Sequence, residues 1–257
     1  MLLTARDKTA RTRKGRTDRK NRPVPGALQR LPESSIGVLD APAFDRRRTE
    51  RFRRALNVVV ALLGLVLTLP LMLIIAVLIK LTSPGPVFYV QPRVGLDRRN
   101  GALGLNGRRR VDYGGKIFHI YKFRTMRVDA GTDQVWASPD DPRVTPIGRI
   151  LRKYRLDELP QFINVLKGDM NVVGPRPEQP AIFMRLRDEI DPYPIRQRVL
   201  PGITGWAQVN QSYDRCTEDV KTKLDLDLEY IRRRSLWEDL KIMLRTIPVM
   251  LLRKGAW

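Results

Sequence analysis

Two adjacent carboxylates, Asp157 and Glu158, stand at the centre of the stretch RKYRLDELPQFINVLKGDMNVVGPRP, residues 152 to 177. Arg152, Lys153 and Arg155 precede them, and a helix start follows. Pro160 suits a first helical position, because its missing N–H would have no partner there anyway, and Gly168 suits the stop. The acids therefore fall where a helix dipole is positive. Gly174-Pro175-Arg176-Pro177 reads as a rigid turn that aims a guanidinium, whose planar fork matches phosphate oxygens. Carboxylates in a basic, rigid frame point to metal-assisted chemistry on phosphate. An Asp-Glu pair also occurs at helix starts for stability alone, at roughly 0.3 to 1 kcal/mol per residue, so spacing by itself does not establish catalysis.

Several elements must position these groups. GKIFHIYKFRTM, residues 115 to 126, alternates apolar and polar residues and reads as a strand marked by Ile117, Ile120 and Phe123. Lys122 and Arg124, two apart on that strand, share one face, which is either a solvated face or, against a nucleotide diphosphate, a cationic clamp. Another short strand is expected around Val87 to Val90. Thr145-Pro146 opens a helix with Ile147, Ile150, Leu151 and Tyr154 at helical spacing. The carboxylates thus lie at the junction between this helix and the next, whose Phe162, Ile163 and Leu166 are expected to face the core. MNVVGPRP reads as a short apolar strand entering the Arg176 loop. Residues 180 to 200 mix apolar residues with Arg185, Arg187, Arg196 and Arg198, a basic amphipathic pattern that suits the headgroup plane of a membrane. In PGITGWAQV, residues 201 to 209, Gly202 and Gly205 read as turn residues, and Trp206 suits a membrane face, base stacking or core packing. A charged helix over 214 to 234 and an amphipathic, interfacial one near the C-terminus complete the pattern.

The 257 residues carry a net charge of +21, which calls for a polyanionic partner: nucleic acid, anionic lipid or phosphorylated substrate. One cysteine, Cys216, excludes an intramolecular disulfide, and the lone His119, in an apolar stretch, argues against histidine-based catalysis. Residues 1 to 50 are basic and poor in aromatics, and read as a disordered arm able to meet anionic headgroups. Residues 51 to 82 form a membrane segment, uncharged from Val58 to Ile79, about the length that spans a bilayer. Basic residues flank it on both sides, so positive charge assigns no clear orientation. Pro70, near its middle, removes a backbone hydrogen bond and favours a bend, which would let the helix re-enter on the side it came from. Residues 83 to 257 form the remaining domain, with a Gly- and Arg-rich loop at 98 to 115.

RVTPIGRILRKYRLDELPQFINVLKGDMNVVGPRPE at 143 to 178 resembles the signature of the bacterial sugar transferases, the monotopic phosphoglycosyltransferases. KIFHIYKFRTM at 116 to 126 and LPGITGWAQVN at 200 to 210 extend the resemblance across about residues 50 to 250. It implies transfer of a sugar 1-phosphate from a UDP-sugar to undecaprenyl phosphate with release of UMP, an early membrane step of exopolysaccharide, O-antigen, capsule or glycan synthesis. By the same resemblance Asp157 is the nucleophile that forms an aspartyl-phosphosugar intermediate, and Glu158 holds Mg²⁺ with it or manages protons. Arg176 holds phosphate, Lys122 and Arg124 stabilise donor charge, and Asp227, with Asp225 as competitor, falls at the family's downstream aspartate.

The expected fold is α+β and mostly helical: a small irregular cytoplasmic domain on a re-entrant membrane helix, with interfacial amphipathic helices, at the bacterial inner membrane. Expected partners are the UDP-sugar, undecaprenyl phosphate and anionic headgroups rather than nucleic acid, and a homo-oligomer is compatible with the pattern. Two other classes fit parts of it. A non-enzymatic membrane adaptor explains the charge and the apolar helix, and a polyprenyl phosphate phosphatase explains phosphate groups at a membrane.

Overall fold

In the computed structural model, which describes residues 43–98, 113–128, 141–211 and 217–251, the chain begins with one long helix. This helix, α1, runs Ala43–Thr82 through 40 residues and carries Pro70 inside it. It starts within the segment assigned to the arm because Glu50 finds partners at helical spacing and across the fold, pairing with Arg53 and with Arg234. The rest of the expected arm and most of the 98–115 loop lie outside the described residues. From Arg48 to Thr82 the helix is long and apolar enough to cross a membrane, and it is the one such helix among the described residues. A single face of α1 meets the remainder of the protein: Arg53, Asn57, Ala61, Met72, Ile75 and Ile79 are buried, at intervals of three, four or a multiple of a turn. The other faces leave large apolar residues such as Leu63, Val66, Leu67 and Leu73 in the open.

Both ends of α1 are tied to the same domain. Near its start Arg54 donates to the carbonyls of Val165 and Leu166, and the Asn57 amide accepts from the backbone N–H of Val172. Arg53 Nε donates to Asp239 at 2.7 Å, and both side chains are almost wholly buried. Past its end, Arg124 donates to the carbonyls of Ser83 and Pro84.

β1 (Phe88–Val94) and β2 (Ile117–Phe123) then form an antiparallel ribbon. α2 (Pro146–Lys153) is capped by Thr145, whose hydroxyl accepts from the N–H of Gly148 at 3.0 Å. A 3₁₀ turn (Leu156–Glu158) leads to α3 (Gln161–Lys167), which Gly168 ends in the left-handed region at φ 80°. β3 (Asn171–Val173), α4 (Pro180–Glu189), a second 3₁₀ segment (Tyr193–Arg198) and β4 (Gly202–Thr204) follow. β3 and β4 pair in parallel, with α4 in the crossover. α5 (Trp206–Asn210), α6 (Thr217–Arg233) and α7 (Leu236–Leu251) complete the described chain. The fold is thus mostly helical with two small sheets, as the sequence indicates.

Three readings change. Gly202 lies in a strand rather than a turn, because at Gly202 and Gly174 the parallel backbones approach too closely for a side chain. A Cβ on Gly174 would strike the Leu200 carbonyl oxygen. Gly174→Ala should therefore lower stability by about 1–3 kcal/mol, the usual range for forcing atoms into a packed site, and a thermal melt of the purified protein checks this. Second, residues 180 to 200 are no interfacial helix: Phe183, Leu186, Ile190 and Tyr193 are buried with Val94, Val220 and Leu224, so the apolar face is used up inside the protein. Third, Ile163 of α3 is exposed, and Asn164 and Val165 take the buried positions instead.

Candidate active site

The carboxylates sit on the 3₁₀ turn between α2 and α3, both more than nine-tenths buried. The residue before the turn, Arg155, adopts φ 54°, the one non-glycine residue with positive φ among those described. A left-handed L-residue costs on the order of 1–2 kcal/mol and persists where its surroundings hold it. Here it reverses the chain as α2 ends and swings Asp157 and Glu158 toward β2. β2 is fixed opposite them by Asn164, whose amide donates to the His119 carbonyl at 2.6 Å and accepts from the Tyr121 N–H at 3.0 Å. The next residue, Lys122, then meets the acids.

Glu158 is fully engaged. Its Oε1 accepts from Lys122 Nζ at 3.0 Å and from Arg176 Nη2 at 2.5 Å, and its Oε2 from Arg176 Nη1 at 3.3 Å. Burial alone would raise its carboxyl, but Arg176 and Lys122 outweigh it and hold the group well below the usual carboxylate range. Asp157 is different. Among the described residues no donor hydrogen-bonds its side chain. Burial pushes its carboxyl up to about 6 against the opposing pull of Lys122. Burial also lowers the Lys122 ammonium from its ordinary value, with Glu158 resisting. The turn therefore holds one carboxylate locked in an ion network and one that is buried, unbonded and close to neutral pH in its titration.

Arg176 is held from behind. Its carbonyl accepts from Arg196 Nη2 at 2.9 Å, and Arg196 Nε donates to Asp227 Oδ2 at 2.8 Å. Arg196 is 2% exposed and Asp227 1%. Arg196 also donates to the Tyr193 hydroxyl at 2.5 Å and lies 3.5 Å from Glu178, which pairs with Lys223 at 3.0 Å. Burial raises the Asp227 carboxyl while Arg196 opposes it. On the other side Arg93 donates to the Pro177 carbonyl at 3.0 Å. The Pro-Arg-Pro turn is thus gripped at the Arg176 and Pro177 carbonyls.

Of the residues expected to share the site, Asp157, Glu158, Lys122 and Arg176 come together. Arg124 does not. β2 ends at Phe123, so the two-residue alternation that would put Arg124 beside Lys122 no longer holds, and its guanidinium binds the exit turn of α1 instead. Asp227 is also displaced from the expected role, because Arg196 stands between it and the Arg176 loop. Between the two aspartates of that helix, Asp227 is buried and Asp225 exposed. Arg93, Asn164 and Arg196 were missed by sequence reasoning. Asn164 carried a signal, a polar residue between Ile163 and Val165, whereas Arg93 and Arg196 sit among polar and apolar residues alike and carried none. Among the described residues no three Asp, Glu, His or Cys side chains converge as a metal cage.

Residues 48–253 match the profile of the family described as bacterial sugar transferase. Over 231 residues the chain is 42% identical to a UDP-N-acetylgalactosamine-undecaprenyl-phosphate N-acetylgalactosaminephosphotransferase of Aeromonas hydrophila, covering 89% of this chain and 49% of that protein. It is 41% identical over 231 residues to a UDP-glucose:undecaprenyl-phosphate glucose-1-phosphate transferase of Escherichia coli, over 88% of this chain and 46% of that one. A Caulobacter vibrioides protein of the same description is 41% identical over 224 residues, 86% of this chain and 76% of its own. The chain spans about half the length of the first two of these relatives.

Proposed function

Because the chain belongs to the bacterial sugar transferase family, we propose that it transfers a sugar 1-phosphate from a UDP-sugar to undecaprenyl phosphate and releases UMP. The observation that carries this reading is the contrast within the turn: Glu158 is saturated by Lys122 and Arg176, while the neighbouring Asp157 is buried and free of hydrogen bonds. A carboxylate in that state is a nucleophile rather than a structural acid. An Asp157 oxygen attacks the sugar-bearing phosphorus, the bond from that phosphorus to the bridging oxygen breaks, and the electron pair leaves on UMP. An oxygen of the lipid phosphate then attacks the same phosphorus and returns the carboxylate. Splitting the transfer keeps two anionic phosphates from having to react with each other directly in one step.

Magnesium fits this site in one arrangement. The oxygens of Glu158 are taken by cations, so the ion would be held by substrate phosphate oxygens and water, with Asp157 as the carboxylate left to it. When bound it neutralises diphosphate charge. Glu158 holds Lys122 and Arg176 beside Asp157, so that both cations stand where the reacting phosphates arrive.

Relatives named for N-acetylgalactosamine and for glucose lie at nearly the same identity, so the donor is stated as a UDP-sugar. The membrane geometry supports a re-entrant α1. Arg53, Arg54 and Asn57 near one end and the Ser83 and Pro84 carbonyls past the other are all bonded to one domain. A straight crossing would place those polar ends on opposite sides of a hydrocarbon core about 30 Å thick. We place the domain on the cytoplasmic face of the inner membrane, where nucleotide sugars are. α7 supports the same seating, since Trp237, Leu240, Leu244 and Ile247 form an exposed apolar face flanked by Lys241 and Arg245.

The test is incorporation of labelled UMP into UDP-sugars by detergent-solubilised protein with Mg²⁺ and without lipid acceptor. Incorporation supports the two-step transfer and names the sugar. Release of UMP only after undecaprenyl phosphate is added would remove the covalent step, and no reaction in either format would remove the transferase. A pH profile adds a second check. Asp157 must be ionised to attack, and burial pushes its carboxyl up to about 6 before substrate binds. The kcat/KM for UMP release, which reports the free protein, should be flat above that pH and fall about tenfold per unit below it, with no limb from Glu158, whose carboxyl Arg176 and Lys122 hold well below that range.

A further inference from the structure

β1 starts just beyond the end of α1, and its first three residues, Phe88, Tyr89 and Val90, are 45%, 48% and 47% exposed. Three successive large residues left open on both faces of a strand mark a surface that something apolar covers. The pairing register sorts them. Phe88 lies opposite Phe123 with ring centroids 5.4 Å apart, and Phe123 is buried against Met72, Ile75 and Ile79 of α1. Tyr89 lies opposite Lys122, so these two side chains share the other face. That face is the one on which Lys122 reaches Glu158.

The Tyr89 hydroxyl makes no hydrogen bond among the described residues. Lys122 uses one of its three N–H donors on Glu158. The turn leading into this strand is rigid. Gly85 has φ +113°, its missing Cβ is what admits the Arg124 guanidinium, and that guanidinium holds the Ser83 and Pro84 carbonyls. Immediately before it, Val77 and Leu81 of α1 are open. An apolar track from the membrane helix therefore ends, within one strand residue, at an unused hydroxyl and an ammonium beside the reactive carboxylate.

We infer that the start of β1 is the binding site for the polyisoprenyl phosphate acceptor, an inference that rests on the transferase reading above. The acceptor phosphate takes the Tyr89 hydroxyl and the spare Lys122 donors. Phe88 and Val90 project from the opposite face, so the first isoprene units turn over the edge of β1 that no strand pairs to cover them, and the chain continues over Leu81 and Val77 into the bilayer. A water-borne nucleotide would leave Phe88 and Val90 uncovered, whereas a lipid tail covers them. Bound there, an acceptor oxygen attacks the phosphorus carried by Asp157, the bond from that phosphorus to the Asp157 oxygen breaks, and the carboxylate is restored.

The experiment compares wild type, Tyr89→Phe and Val90→Asp, full length in detergent, in two assays: UMP exchange into the UDP-sugar without acceptor, and transfer to undecaprenyl phosphate. Loss of one hydrogen bond to a charged group is worth about a tenfold change. Tyr89→Phe should raise the KM for undecaprenyl phosphate about tenfold, and Val90→Asp, which puts a charge under the isoprene chain, at least as much. Exchange should stay within about twofold of wild type in both, since the donor half-reaction does not use this surface. Exchange falling in step with transfer in Tyr89→Phe would move the residue to the donor side and overturn the site, as would an unchanged acceptor KM in both variants. A wild type inactive in both assays would be a different result, overturning the transferase reading and the acceptor site with it.

Discussion

Asp157→Asn should reduce UMP exchange and sugar phosphate transfer by about 10³-fold or more, the scale of losing a covalent nucleophile, while the fold melts no earlier than wild type at pH 7. The second half of that expectation follows from the sign of the titration. Burial raises the Asp157 carboxyl to about 6 from 3.8, against the attraction of Lys122. Between those values the folded state binds more protons than the unfolded one, so stability falls as pH rises through the interval, and at pH 7 the full cost is present. Asn is neutral and nearly isosteric, and it does not carry that cost. The stability advantage of the variant should therefore shrink as pH is lowered toward 4, which paired thermal melts at several pH values will show. Near-normal turnover in Asp157→Asn would sink the nucleophile assignment, and a melt several degrees below wild type would mean that the residue is structural. A residue that burdens the fold and carries the chemistry is an expected trade of stability for activity.

Arg196→Met should be the most damaging single change to stability, at about 3–5 kcal/mol, because it leaves a buried charge without its partner. Arg196 joins α6, the 3₁₀ segment and the Arg176 loop through Asp227, Tyr193 and the Arg176 carbonyl. Glu178 retains Lys223 when Arg196 is lost, but Asp227 is left with no comparable donor at 2.8 Å. Pairing the change with Asp227→Leu removes the stranded charge, and the double variant should recover much of the lost stability, as apolar replacements of buried ion pairs often do. It should not recover full activity. The Arg176 carbonyl still lacks its donor, so the guanidinium is held less firmly over the donor phosphates and the KM for UDP-sugar should stay raised. Full recovery of both stability and KM would show that the network only fills space.

The elements near the carboxylates were legible in the sequence because their signals are local. Thr145-Pro146 caps α2, Pro160 precedes α3, and Gly168 terminates it at positive φ, each through the geometry of a few consecutive residues. The uncharged run of α1 is legible for the same reason: length and composition alone meet the requirement of a hydrocarbon layer. Lys122 and Arg176 were identifiable as residue types suited to phosphate and Glu158 as an acid suited to a metal ion or a proton, and the tertiary structure set how they divide the work. No spacing rule says that Glu158 absorbs both cations and leaves Asp157 unbonded, since that depends on Asn164 fixing β2 against α3.

Where the sequence misled, the reason was that its local pattern has two solutions. Residues 180 to 200 have the composition of an interfacial helix, and whether the apolar face meets lipid or protein depends on α6 and β1, which are distant in the chain. Arg124 is two residues from Lys122, but the strand stops between them, and a carbonyl pair left open by the end of α1 claims it. Sequence by itself determined the chemistry available, the long apolar segment and the local starts and stops of the helices around the site. Only the tertiary structure decided which acid is free, which cations are committed elsewhere and which apolar faces remain uncovered, because burial and partnership are properties of pairs of residues far apart in the chain.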